Sequence, residues 1–111
     1  MTNLKENILN QEIHKEGILH LTLNDPENKN ALSSQMINNL ITAIENATDN
    51  NNVRVIVIAA EGEVFCSGHN LKEIKKHTKD KEYKESYLNN LFKLCSSLMK
   101  LIVRCPKPVI A

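Results

Sequence analysis

VRVIVIAAEGEVFCSGHNLKEI, residues 53–74, is the stretch that decides the fold. Val53 to Ala60 are β-branched or apolar apart from Arg54, the composition of a strand covered on both faces, as in a parallel sheet. Glu61, Gly62 and Glu63 then read as a turn, Phe65 as a large apolar anchor, and Gly68 as the permissive point of a tight bend. A helix follows. Asn70 is a good N-cap, Glu73 stands close to capping-box spacing from it, and Leu71 and Ile74 are the first apolar positions.

A strand, a glycine bend and a capped helix also make an ordinary βα connection with no chemistry in it. The chemical reading rests on the unpaired N–H groups of a helix start, which together with the helix dipole favour an anion placed just in front. If that anion is the oxygen of a thioester enolate, one well-placed donor contributes about 3 kcal/mol as the charge develops. The donor assigned here is the backbone N–H of His69, because Gly68 before it lets a ligand approach closely.

Upstream, Ile8 to Ile13 and Ile18 to Leu23 read as a hairpin around Lys15, Glu16 and Gly17, with Leu19, Leu21 and Leu23 alternating onto one face. A loop over Asn24 to Asn30 leads into a helix from Ser33 or Ser34 to Thr48, where Ile37, Leu40, Ile41 and Ile44 make one buried face. Downstream, KKHTKDKE at 75–82 is too polar for core and reads as a mobile surface loop. A long helix is predicted from about Tyr83 to Arg104, with Tyr87, Leu91, Leu94, Cys95, Leu98, Leu101 and Ile102 near one apolar stripe. Pro106 and Pro108 end it, and KPVIA at 107–111 reads as the start of a buried strand.

Composition narrows the functional class. With 111 residues and 41% hydrophobic content the chain is globular and at most one modest domain. A net charge of +1 and an absence of Trp provide neither a long-range field nor a stacking platform, so nucleic acid is an unsuitable partner. Cys66, Cys95 and Cys105 lack metal-type spacing and suit a reducing compartment. No membrane span is expected, and the first residues carry neither an apolar leader core nor an Arg-rich transit pattern, so the expectation is a soluble cytoplasmic protein.

NALS at 30–33, the 53–74 stretch and CPKPVIA at 105–111, taken in this order, resemble the enoyl-CoA hydratase/isomerase, or crotonase, superfamily. The resemblance implies an α/β chain forming the N-terminal part of a crotonase-like ββα spiral, so that residues 1–111 would be an incomplete domain covering less than half of the family's length. It implies an acyl-CoA thioester as ligand, with coenzyme A as part of the substrate and no other cofactor. Lys29, Ala31 and Leu32, with Asn30, match the segment on the nucleotide side. Cys66, Gly68, His69, Asn70 and Leu71, with Ser67, match the segment on the thioester and adenine side, and the family's first oxyanion donor is the N–H after the glycine, that of His69. A homo-oligomer of trimer type is implied for the full-length parent.

Two departures accompany the resemblance. Many members have Ala and Asp where this chain has His69 and Asn70; a main-chain role survives the exchange, while the larger side chain narrows the neighbouring space. The family's second oxyanion donor, on a glycine-rich turn, and its acid/base carboxylates match nothing up to Ala111. The chain alone is therefore expected not to hydrate enoyl-CoA at a useful rate, and truncation, a split gene or an incomplete record is the expected reason for stopping on a strand whose terminal carboxylate would otherwise be buried.

The remaining reactive residues have plainer readings. Cys66 near His69 is a small buried thiol before it is a nucleophile. His14, His20, His69 and His77 have no metal-site spacing. Lys72, Lys75, Lys76, Lys79 and Lys81 form a solvated face that could also meet CoA phosphates. Two functions stay open: a piece of a CoA-thioester hydratase or isomerase, and a non-catalytic module that binds acyl-CoA or pairs with family subunits.

Overall fold

The computed structural model of the chain describes residues 7–79 and 81–111. Leu9–His14 (β1) and Ile18–Leu23 (β2) form the expected hairpin, antiparallel, with Leu9 opposite Leu23 and His14 opposite Ile18. The turn between them is a 3₁₀ turn over Lys15–Gly17. Gly17 sits at φ 81°, and a Cβ there would meet the Asn52 carbonyl oxygen and the Arg54 side chain, each at 2.8 Å. Glycine is required because the chain passes tightly over the turn on its way into the next strand: Arg54 N–H donates to the Gly17 carbonyl at 2.7 Å.

That strand, Val55–Ala60 (β3), runs parallel beside β2, and Val109–Ile110 (β4) runs parallel on its other side, giving the order β1-β2-β3-β4. Leu19, Leu21 and Leu23 pair with Ile56, Ile58 and Ala60, and residues side by side in a ladder share a face. Onto that face packs Ser34–Thr48 (α1), through Met36, Ile37, Leu40, Ala43, Ile44 and Ala47. Burying one such side chain contributes about 1.5–3 kcal/mol. The long helix Lys81–Arg104 (α3) lies against α1 and seals it with Leu91 and Leu98, both nearly inaccessible.

Several expectations are corrected. β3 begins at Val55, not Val53, and of its residues only Ile56 is fully buried. Val55, Val57 and Ala59 alternate onto the face turned away from α1 and are half-buried, so among the described residues that face is only partly covered. At 107–111, Ile110 is 54% exposed because β4 is an edge strand with β3 alone beside it among the described residues. Finally, residues 75–77 are not loop. The helix Leu71–His77 (α2) includes them, since Lys75, Lys76 and His77 suit the negative end of its dipole and the Thr78 hydroxyl donates to the Ile74 carbonyl at 2.7 Å. Asp80, within the same expected loop, lies outside the described residues, and α3 starts at Lys81, ahead of the expected Tyr83.

Candidate functional site

The site is built where the loop after β2 meets the loop after β3. Pro26–Asn28 makes a 3₁₀ turn, and Lys29 and Asn30 follow it in left-handed backbone at φ 54° and 53°. Asparagine tolerates that region better than most residues. Asn30 is also completely buried, and every polar atom of its side chain is used: Oδ1 accepts the Asp25 N–H at 2.7 Å, and Nδ2 donates to the carbonyls of Glu61 at 2.8 Å and Val64 at 2.9 Å. This asparagine, rather than Phe65, ties the two loops together; Phe65 is 48% exposed and, among the described residues, lies outside the core.

Main-chain bonds complete the seam. Ser67 N–H donates to the Lys29 carbonyl at 3.1 Å, and Leu32 N–H to the Gly68 carbonyl at 2.6 Å, so that Leu32 and His69 form an isolated parallel bridge. The second bond fixes what His69 can do. Carbonyl and N–H of one trans peptide point in opposite directions, and no peptide bond here is cis. With the Gly68 carbonyl held by Leu32, the His69 N–H must point away from Leu32. Among the described residues it donates to no acceptor.

Gly68 has φ 87°, and a Cβ added to it would meet nothing within 4 Å. The bend therefore has open space beside it. Asn70 caps α2 as expected, its Oδ1 accepting the Glu73 N–H at 3.0 Å. Leu71, expected to start the apolar face of α2, is 75% exposed instead, because its position on the first turn faces the solvent side of a seven-residue helix.

Of the expected site residues, Lys29, Ala31, His69, Asn70 and Leu71 line one cleft of about 380 Å³, together with Glu27, Asn28, Ser67 and Lys72. Leu32 and Gly68 form the hydrogen-bonded seam beside it. Cys66 packs against the core, and its Sγ accepts the Gly68 N–H at 3.4 Å, which makes it a support of the bend. The His69 ring lies edge-on to Phe92 at 6.0 Å, with its Nδ1 buried and unpartnered among the described residues. A second cleft of about 430 Å³, lined by Asp25, Ser33, Asn70, Lys72, Glu73, Lys76 and others, adjoins through Asn70 and Lys72. Lys72 borders both clefts, Lys29 and Lys76 one each, and Glu27 both, so three cationic side chains and one exposed carboxylate line the joined clefts.

Two of the three carboxylates that line the clefts are engaged, while Glu27, which lines both, has no hydrogen bond or ion pair among the described residues. Asp25 is nearly buried and receives the Asn28 side-chain amide at 3.1 and 3.2 Å. Glu73 does not close a capping box onto its own helix; its carboxylate accepts the Ser34 N–H at 3.1 and 3.3 Å and the Ser34 hydroxyl at 2.5 Å, at the start of α1. The Tyr87 hydroxyl is buried without a hydrogen bond of good geometry among the described residues, and its pKa is raised above 10.0 by burial first and by the negative charge of Glu73 second. Neither the Asn30 anchor nor the Glu73–Ser34 contact was expected from sequence: an Asn in a polar loop and a Glu at capping spacing carry no sign of a partner thirty or more residues away. Among the described residues, no helix is long and apolar enough to cross a membrane.

Comparison with known proteins agrees with this architecture. The family model described as enoyl-CoA hydratase/isomerase matches residues 13–111. The chain is 45% identical over 104 residues to enoyl-CoA hydratase domain-containing protein 3, mitochondrial, of Xenopus laevis, covering 94% of this chain and 33% of that protein. It is 41% identical over 96 residues to the Homo sapiens protein of that name, covering 86% of this chain and 30% of the relative. Among solved structures, an enoyl-CoA hydratase of Mycobacterium smegmatis superposes with a TM-score of 0.84 at 38% identity, over 94% of this chain and 38% of that one. The human domain-containing protein 3 superposes with a TM-score of 0.80 at 35% identity, over 93% and 38%. The chain thus spans about a third of the length of the curated relatives it matches.

Proposed function

The chain belongs to the enoyl-CoA hydratase/isomerase family, and from that premise we propose that it carries the first half of an acyl-CoA thioester site in which the His69 N–H faces the thioester oxygen. The single observation that supports this reading is the His69 amide: oriented by its own peptide plane, unshared among the described residues, and beside a glycine with open space around it. In this reading Lys29, Ala31 and Leu32 border the nucleotide side, and Cys66, Gly68, Asn70 and Leu71 the thioester and adenine side. Coenzyme A enters as part of the substrate. Residues 1–111 act as an incomplete crotonase-like domain, the full-length parent is a hydratase or isomerase of trimer type, and the three unpaired thiols suit a reducing, cytoplasmic setting.

The chemistry follows from where charge develops. As a proton is added or removed next to a thioester, negative charge builds on its oxygen, and a fixed N–H that strengthens with that charge lowers the barrier where uniform substrate binding would not. Proton delivery is a separate requirement, worth roughly 10²–10⁴ in rate. Asp25 and Glu73 are held by Asn28 and Ser34, so neither stands ready to move a proton over the thioester. Glu27 lines the cleft unengaged among the described residues, but the family's acid/base carboxylates match no residue of this chain, so the 111-residue chain is expected to bind and polarise without turning over.

Purified, sequence-verified chain incubated with crotonyl-CoA is expected to show no sustained hydration above the uncatalysed rate, while butyryl-CoA binds with a dissociation constant in the millimolar range or below. Steady hydration contradicts the proposed division of labour. Absence of any thioester binding removes the site, and with it the alternative reading as a non-catalytic acyl-CoA-binding module.

A further inference from the structure

Glu73 is three residues past its helix's N-cap, yet its side chain serves another helix. The Glu73 N–H is bonded to the Asn70 side chain of α2, while the Glu73 carboxylate receives the Ser34 N–H and hydroxyl of α1. Ser33, the residue before, caps α1 through its own hydroxyl to the Met36 N–H at 3.1 Å. The starts of two helices are thereby joined through one carboxylate. Each of these starts follows directly on one wall of the site: Lys29 to Leu32 lead into α1, and Cys66 to Asn70 lead into α2.

We propose that Glu73 is a positioning residue, a latch that clamps α2 to α1 so that the two walls stay in register and the His69 N–H keeps its outward setting. The inference rests on the acyl-CoA reading of the site. The seam it protects is short, consisting of Leu32 N–H to Gly68 and Ser67 N–H to Lys29, with Asn30 behind it. The Glu73–Ser34 contact lies beyond the ends of both segments and adds a further attachment between the two walls at the helix starts. A charge-assisted pair of bonds to one carboxylate suits this task better than a neutral contact, being shorter and about twice as strong.

The test uses the full chain and two readouts. Amide hydrogen exchange is followed at Leu32 and Ser67, with Leu21 and Ile56 as core controls, and butyryl-CoA binding is followed by NMR titration. Glu73→Ala is expected to speed exchange at Leu32 and Ser67 by about tenfold and to weaken butyryl-CoA binding by about tenfold, the size of one lost charge-assisted hydrogen bond, with core protection unchanged. Glu73→Gln, whose amide oxygen still accepts from Ser34, is expected to restore most of both. Should Glu73→Ala lose core protection as well, Ser34→Ala, which deletes the hydroxyl donor alone, must show a smaller increase of the same sign. Exchange at Leu32 and Ser67 that stays at the wild-type rate in these variants overturns the latch. A wild-type chain that ignores butyryl-CoA overturns the functional reading instead, and the exchange data then decide the latch by themselves.

Discussion

Leu32 and His69 stand side by side as a parallel bridge, and because the Leu32 amide holds the Gly68 carbonyl at 2.6 Å, the His69 amide is turned to the opposite side and has no acceptor among the described residues. An unshared main-chain donor at the rim of a cleft is what an oxyanion site requires before any substrate arrives. Its orientation depends on one peptide plane, and the variants below act on that plane, on its supports and on the fold beneath it.

Gly68→Ala tests the plane directly. The φ of 87° is strained for any residue with a Cβ, at a cost of about 1–2 kcal/mol, while the space around the added methyl is open. The expected outcome is a loss of that order in urea unfolding and a larger proportional loss in butyryl-CoA affinity, because the methyl enters the open space beside the bend and strains the peptide that carries the His69 amide. Equal affinity for both proteins would place the ligand elsewhere.

Asn30→Ala removes three hydrogen bonds from a fully buried side chain and leaves the Glu61 and Val64 carbonyls without their donor. The expected destabilisation is about 3 kcal/mol by chemical denaturation. Asn30→Asp keeps the acceptor for Asp25 N–H but sets a carboxylate against two carbonyl oxygens, so it is expected to cost at least as much. A change below about 1 kcal/mol in both variants would mean that Asn30 is not the anchor of the two loops.

How much of this was legible in the sequence depends on the range of the interaction. The hairpin, the α1 face and the α3 stripe were readable because period and local turn chemistry determine them, and so was the Asn70 cap, whose partner is three residues away. Phe65 was misread as an anchor since hydrophobicity alone does not say which side of a turn packs; the buried polar Asn30 fills that role. Glu73 satisfied a local pattern and then used a distant serine, a choice between two valid partners that only the approach of α1 to α2 decides. Residues 75–77 read as loop because they are polar, whereas a charged final turn is favourable at a helix C-terminus.

Tyr87 should report on Glu73 through its own titration. Burial, and then the Glu73 charge, raise its phenol above 10.0, so between the unfolded and folded pKa values the folded chain retains a proton that the unfolded chain has lost. Stability is therefore unaffected below about pH 10 and falls as pH rises through the folded pKa. Spectroscopic titration of Glu73→Gln is expected to move the Tyr87 pKa downward but not fully to its ordinary value, since burial persists. An unchanged Tyr87 pKa would mean that the carboxylate is not beside the phenol.

Lys107→Met probes a long-range helix cap. The Lys107 ammonium donates to the carbonyls of Ala47 at 2.5 Å and Asn50 at 2.7 Å, at the end of α1, where a cation also meets the negative end of the helix dipole. Loss of about 1 kcal/mol in thermal or urea unfolding is expected. No loss would show that water replaces the ammonium at no cost.

The central claim is tested most directly by recording the His69 amide resonance while butyryl-CoA is added to the wild-type chain. A large, saturable downfield shift of the His69 N–H, exceeding those of its neighbours Asn70 and Leu71 and abolished in Gly68→Ala, is the predicted result. A His69 amide that does not move at millimolar thioester, or that exchanges as slowly in the free chain as a hydrogen-bonded strand amide, would contradict it.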